Sequence, residues 1–275
     1  MSRIGVCLKW VDRRPEVDPL TGQVTTDPRS SGASDADRAA LEWALRLGEA
    51  WGWEVVAVSA GGDRGCRAVL EEALAAGADS ARMVELDPQL PSRAVAAGLA
   101  GALEDAGLVL CGDWSLDRGS GSVPAFIAAE RAAAQALGLV GLEPAGPGTV
   151  LVERRLDRGR RERLRVSAPA VLSVEGGTAR LRRAGLPRVL AAERAEVVSY
   201  RTPSVAPERP PRRVGPYRPR ARVLAGPPAE WPALARIAAL TGASSERSAP
   251  QSLVLDPDAA AARILEALSE WGWRS

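Results

Sequence analysis

The chain has 275 residues, 46% hydrophobic and 25% charged, with a formal net charge of +2, a globular composition that lacks any run of membrane-spanning length or a strong pull toward nucleic acid. It contains no histidine, which removes Ser-His-Asp triads, Cys-His dyads and most metal centres. Cys7, Cys66 and Cys111 show no CxxC spacing, which argues against a disulfide framework or a zinc site and leaves structural thiols.

The first residues, Met-Ser-Arg-Ile-Gly-Val-Cys-Leu-Lys-Trp, carry no charged-then-apolar leader and go straight into a strand pattern, so the protein is expected in the cytoplasm. Apolar runs at 3–11, 54–60, 81–86 and 107–112 alternate with helical patterns near 34–51, 63–77 and 91–105, which is a series of βαβ units. Residues 12–33 form an irregular connection longer than the usual few residues, which points to a functional or partner-contacting loop. Ser34-Asp35-Ala36-Asp37 has capping-box spacing, and Leu41, Ala44, Leu45 and Gly48 fall on one face of the helix that follows.

The fourth strand run leads through Asp117-Arg118-Gly119-Ser120-Gly121-Ser122 to an alanine-rich helix at 123–138. Gly119 and Gly121 let the backbone approach a ligand, Ser120 and Ser122 offer hydroxyls, and the free N–H groups of the helix from Val123 point back at whatever sits there. Pro124 fits in the first turn because its missing N–H has no partner to lose. Two readings stand side by side: a plain helix N-cap, and an anion cradle whose guest is a phosphate.

A fifth short strand near 139–142 completes the expected fold class, an α/β doubly wound parallel five-stranded sheet, Rossmann-like and suited to an adenine nucleotide. In such sheets the ligand crevice lies outside the carboxyl ends of the strands, where Lys9-Trp10, Ala60-Gly61 and Cys111-Gly112 would meet beside the cradle.

From 149 to 175 the pattern turns to a β-hairpin extension, with Leu151, Leu156, Leu164 and Val166 flanking a turn at Asp157-Arg158-Gly159. Acidic residues interrupt the arginines of 153–165 and no aromatic interleaves them, so this is a solvated hairpin and no nucleic-acid partner is expected. Residues 178–195 follow neither period. Beyond 200 a Pro-Arg-rich stretch reads as an extended arm, and Asp256-Pro257 opens a terminal helix with an apolar stripe of Ala261, Ile264, Leu265, Leu268 and Trp271. The organisation is therefore an α/β domain over 1–200, including hairpin and loop, and an arm plus helix over 201–275 that packs on its own domain or on a partner subunit.

These features, in this order, resemble the β subunit of electron transfer flavoprotein. The resemblance is carried by Val-Cys-Leu-Lys-Trp-Val-Asp at 6–12, Ala-Leu-Glu-Trp-Ala-Leu-Arg-Leu at 40–47, Val-Leu-Glu-Glu-Ala-Leu-Ala-Ala-Gly-Ala-Asp at 69–79 and Asp-Arg-Gly-Ser-Gly-Ser-Val-Pro-Ala at 117–125. It continues through Ala-Pro-Ala-Val-Leu-Ser-Val at 168–174 and Leu-Pro-Arg-Val-Leu-Ala-Ala at 186–192. It implies a non-catalytic electron carrier subunit that holds a structural AMP and pairs with an α subunit carrying FAD, the heterodimer passing electrons from dehydrogenases to an acceptor. It further implies an AMP phosphate on Gly119, Ser120, Gly121, Ser122 and Val123 with Asp117 at the loop entrance, and Cys7, Lys9, Ser34 and Ala60 near the adenosine. Leu186 matches a recognition-loop leucine that inserts into client dehydrogenases, here rimmed by Arg182, Arg183 and Arg188.

The chain also departs from that pattern. Ser34-Asp35-Ala36 stands where Asn-Pro-aromatic is common, Arg13 where an aromatic often follows the first strand, and Ser122-Val123-Pro124 where Gln-Thr-Gly is usual. The arginine-rich composition and these substitutions look most like the divergent β subunits found beside mycofactocin systems. A nucleotide-binding regulatory protein of the universal-stress type and an enzyme of adenylyl chemistry share the sheet and stand as alternatives. About 130 residues beyond the fifth strand disfavour the first, and the lack of histidine or of a second basic cluster disfavours the second.

Overall fold

Strand β1 (Arg3–Leu8) is buried at every position from Ile4 to Leu8, the pattern of a parallel strand covered by helices on both faces. The structure, a computed structural model, describes residues 2–87, 90–201, 226–241 and 252–273. The chain divides into one unit over Met1–Pro219 and a second over Arg220–Ser275.

The early βαβ series forms as its periodicities predict. After β1 come β2 (Trp10–Asp12), β3 (Glu16–Val17), β4 (Val24–Thr25), β5 (Ser31–Ala33), α1 (Asp35–Trp51), β6 (Glu54–Ala60), α2 (Arg64–Ala76), β7 (Ser80–Glu85), α3 (Ser92–Ala102) and β8 (Leu108–Gly112). The Ser34 hydroxyl accepts from the Asp37 amide at 3.0 Å, and Asp63 caps α2 through the Cys66 amide at 2.8 Å. Such caps satisfy amides that a helix start otherwise leaves open. Helices α1 and α2 pack on one sheet face through Leu41, Leu45, Leu70 and their neighbours. On the other face, Leu99 and Leu103 of the α3 region join Ile127 and Val109.

Among the described residues the sheet has nine strands, not five. After β8 the chain runs through α4 (Val123–Glu130), β9 (Ala134–Pro144), β10 (Thr149–Arg155), β11 (Arg161–Ser167), β12 (Ala170–Val174), α5 (Leu186–Ala192) and β13 (Val198–Arg201), in the spatial order β11-β10-β9-β12-β8-β1-β6-β7-β13. Strand β12, buried throughout, slots between β8 and β9 and is parallel to both. The helix expected over 123–138 therefore ends at Glu130. Ala132 turns the chain at φ +48°, and Ala134, Gln135 and Ala136 pair with β12, so tertiary pairing overrides the helix preference of alanine. The hairpin β10–β11 forms where expected, around Asp157–Gly159.

Residues 12–33 are not irregular throughout. Strands β2 and β5 pair at the base of the excursion and β3 pairs with β4 beyond it. Asp12 holds the base, accepting from the amides of Arg14 and Asp27, each at 2.8 Å, and from the Ser30 hydroxyl.

In the second unit, α6 (Ala233–Thr241) and α7 (Pro257–Glu270) are described. Asp256 caps α7 as predicted, accepting from Asp258 and Ala259. Most of the proposed arm, residues 202–225, lies outside the described residues. Among the described residues, no helix is long and apolar enough to cross a membrane.

Candidate functional site

The chain leaves β1 to build β6 and β7 on one side, then returns through α3 to lay β8 on the other. The carboxyl ends of β1 and β8 thus flank the point where strand order reverses, the place where open α/β sheets bind ligands.

Two helix starts converge there. α3 begins after Pro91 and α4 after Ser122, and among the described residues neither has a side-chain cap at its N-cap position or an acidic residue in its first turn. Their positively polarised amide ends face a common pocket lined by Ser92 and Val95 from α3 and by Ser120, Gly121, Ser122, Val123 and Pro124 from the loop and α4. Among the described residues no backbone carbonyl accepts from the amides of Ser120, Gly121, Ser122 or Val123. The loop takes this shape because Gly119 and Gly121 sit at φ +62° and +58°, and a Cβ on Gly121 would lie 2.7 Å from the Asp113 carbonyl oxygen. Only glycine closes this turn without strain.

The opposite wall is knitted by Asp37. Its buried carboxylate accepts from the Lys9 amide at 3.1 Å and from the Gly112 amide, tying the ends of β1 and β8 to the start of α1. Gly112 makes room for it, since a Cβ there would stand 2.5 Å from Asp37 Oδ1. Burial raises the Asp37 carboxyl to about 7, against the opposing pull of these hydrogen bonds and of Lys9.

Lys9 Nζ donates to Asp117 Oδ2 at 2.5 Å. Burial alone would push the Asp117 carboxyl up, but the hydrogen bonds from Lys9 and Ser115 and the Lys9 charge bring it below its ordinary value. Arg118 reaches across the mouth to donate to the Leu90 carbonyl at 2.7 Å. Asp113 Oδ1 is buried without a hydrogen-bond partner, and burial, then the charge of Glu175, raises that carboxyl.

Of the ten residues predicted for a nucleotide, Cys7, Lys9, Ala60, Ser120, Gly121, Ser122 and Val123 line this one pocket. Asp117 joins them through Lys9, and Gly119 shapes the loop with its amide donating to the Ser115 carbonyl at 2.8 Å. Ser34 is spent on capping α1 and opens on a neighbouring groove with Arg13, Arg14, Arg29 and Trp114. The sequence reading missed Ser92, Asp113, Trp114 and Arg118 as lining residues and saw Asp37 only as part of a cap. Arg118, inside the loop motif, was the one with a visible signal; the others depend on long-range convergence.

A larger groove, about 1210 Å³ against about 110 Å³, runs along α1, α2 and residues 176–184. Its charges are largely matched within the chain: Arg38 with Glu72, Arg46 with Glu42, and Arg182 with Glu42 and Glu49. It lacks the converging open amides of the smaller pocket.

Leu186 opens α5 and is 69% exposed, with Val189 and Leu190 also exposed on the same short helix. The approach to it is fixed by Arg182, whose amide and Nε both donate to Glu42 at 3.1 Å. Of the three arginines expected to rim Leu186, Arg182 is thus engaged with α1.

Residues 22–204 match the electron transfer flavoprotein domain family. No curated protein matches the chain.

Proposed function

The chain belongs to the electron transfer flavoprotein domain family, whose members are electron carriers rather than catalysts, and from that premise we propose that it is the β subunit of a heterodimeric carrier. In this reading it binds a structural AMP in the glycine-serine pocket and helps hold the FAD of an α subunit, relaying electrons from client dehydrogenases to an acceptor. The observation that carries it is the convergence of two uncapped helix starts and a positive-φ glycine loop at the strand-order reversal. An adenosine phosphate dianion gains there from N–H donors and two helix dipoles, at about 0.3–2 kcal/mol per favourable charge–dipole contact.

The FAD supplies the electron uptake and release. The residues of this chain do the holding. Gly121, Ser122 and Val123 would donate to the AMP phosphate, and Asp117 neutralises Lys9 at the entrance. Asp37 keeps the two strand ends in register beneath the nucleotide. The groove bearing Arg13, Arg14, Arg29 and Trp114 is assigned to the FAD side, with half-exposed Trp114 offering the ring that Ala36 and Arg13 do not. The exposed Leu186 and Leu190 would anchor the client, an apolar centre in a polar surround. On its arginine-rich composition we assign the chain to the divergent subgroup found beside mycofactocin systems. Nothing favours the universal-stress alternative.

Co-expression with a candidate α subunit tests the reading. A yellow heterodimer with a flavin spectrum supports it, and a flavin-free homodimer that binds ATP contradicts it.

A further inference from the structure

Cys7 and Cys111 stand directly opposite each other on the adjacent parallel strands β1 and β8. Both residues line the pocket at the carboxyl ends of their strands. Neighbouring strands lie about 4.8 Å apart, inside the Cα separations of about 4.4–6.8 Å that a disulfide spans. Cys66 sits on α2 and is buried in the cluster on the opposite sheet face, away from the pair.

We propose that Cys7 and Cys111 form a reversible dithiol–disulfide couple in the floor of this pocket, a modification site for small disulfide oxidants. With a low-molecular-weight disulfide, the Cys7 thiolate attacks one sulfur and expels one thiolate. The Cys111 thiolate then attacks the Cys7 sulfur of the mixed disulfide and expels the second. Two electrons pass from the pair to the reagent, the reagent's S–S bond is replaced by the Cys7–Cys111 bond, and the two thiol protons end on the two released thiols. Cys7 is the more accessible of the two, 9% exposed against 4%, and so meets the reagent first. The neighbouring Cys7 side chain, then burial, holds the Cys111 thiol well above its ordinary value, so the second step is slow at neutral pH.

On the nucleotide reading, a ligand above the pair shields it, and by linkage the reduced form binds that ligand more tightly. The test is oxidation of the full-length protein with excess oxidised glutathione or diamide, with and without AMP, followed by proteolysis without reduction and mass spectrometry. The expected result is a Cys7–Cys111 cross-link with Cys66 free, reversed by dithiothreitol and absent in Cys111→Ser. AMP slows its formation, and AMP affinity falls about tenfold on oxidation. Folded protein that yields no Cys7–Cys111 bond overturns the proposal, and so does a bond that appears equally in denatured chain as a random pairing with Cys66. A mapped, reversible bond in a protein that ignores AMP in both redox states supports the couple and overturns the nucleotide reading alone.

Discussion

Lys9 and Asp117, 108 positions apart, close an ion pair of 2.5 Å at the entrance of the glycine-serine loop. Lys9 is the only lysine in the chain, and its position at the end of β1 lets it cancel the one carboxylate that the loop motif brings to its own mouth. The pair is about a third to two-fifths exposed on its two sides, so its worth to stability is at most about 1 kcal/mol. Its larger effect is on an anion bound nearby. Lys9→Met leaves Asp117 uncompensated and is expected to weaken AMP binding about tenfold with little change in Tm, whereas Asp117→Asn frees the lysine and strengthens it. Calorimetric titration of both variants checks this; equal affinities would separate the ion pair from the ligand site.

Gly121→Ala should be costly in two ways. A side chain at φ +58° costs about 1–2 kcal/mol, and its Cβ would press on the Asp113 carbonyl at 2.7 Å. The loop must open, so the amides of Ser122 and Val123 lose their aim. The expectation is a lower Tm and loss of AMP binding, with far-ultraviolet circular dichroism unchanged.

Asp37 sets a pH dependence whose sign can be worked out. Its carboxyl is raised from 3.8 to about 7 by burial, so the folded state binds the proton more tightly than the unfolded chain. That contribution is fully present below the unfolded value and is lost as pH rises through about 7, amounting to roughly 2–4 kcal/mol. Asp105 behaves oppositely. The Arg82 hydrogen bond, helped by Arg3, lowers its carboxyl to about 2, so its contribution is present above 3.8 and is lost as pH falls through about 2. The wild-type Tm should therefore fall between pH 5 and pH 8. Asp37→Asn, which cannot ionise but leaves one of the Lys9 and Gly112 amides without an acceptor, should be less stable at pH 5 and draw level by pH 8. Parallel melting curves across that range would remove Asp37 as the cause.

Arg182 fastens residues 178–184 to α1 through Glu42, whose side chain is 6% exposed, and through Glu49. Arg182→Met leaves Glu42 with Arg46 and the backbone amide of position 182, and a nearly buried carboxylate that loses its guanidinium partner costs about 1–3 kcal/mol. Urea denaturation should show that loss, and Glu42→Gln combined with Arg182→Met should recover part of it.

Leu186→Asp places a charge at the first residue of α5 (Leu186–Ala192). It should abolish electron uptake from a client dehydrogenase while the heterodimer, read by gel filtration, stays intact. Unchanged reduction kinetics would show that α5 is not the docking element.

Local signals made the first half of the fold legible. Strands β1, β6, β7 and β8 and helices α1 to α3 lie within a few residues of the sequence-based bounds, because continuous apolar runs and 3.6-residue stripes are properties of short segments. Ser34, Asp63 and Asp256 cap as their residue types demand. What could not be read was pairing at a distance. Strand β12 sits mid-sheet because β8 and β9 accept it, and nothing within Ala170–Val174 names those partners. The same pairing pulled Ala134–Ala136 out of helix. In the site, the glycine-serine loop was visible from its residues, whereas Asp37 and the second helix start at α3 emerged only when three strand ends converged. The Cys7–Cys111 register, hidden in two unrelated segments, is of the same kind.

The central claim is that the pocket at the β1–β8 reversal holds an adenine nucleotide. The direct measurement is acid extraction of the protein purified with its α subunit, with chromatography and mass spectrometry of the released small molecules, for wild type and Gly121→Ala. The account predicts AMP at about one per heterodimer beside the FAD of the partner, with the AMP alone missing from Gly121→Ala. Wild-type heterodimer that yields FAD but no AMP, and that takes up none on titration, would contradict it.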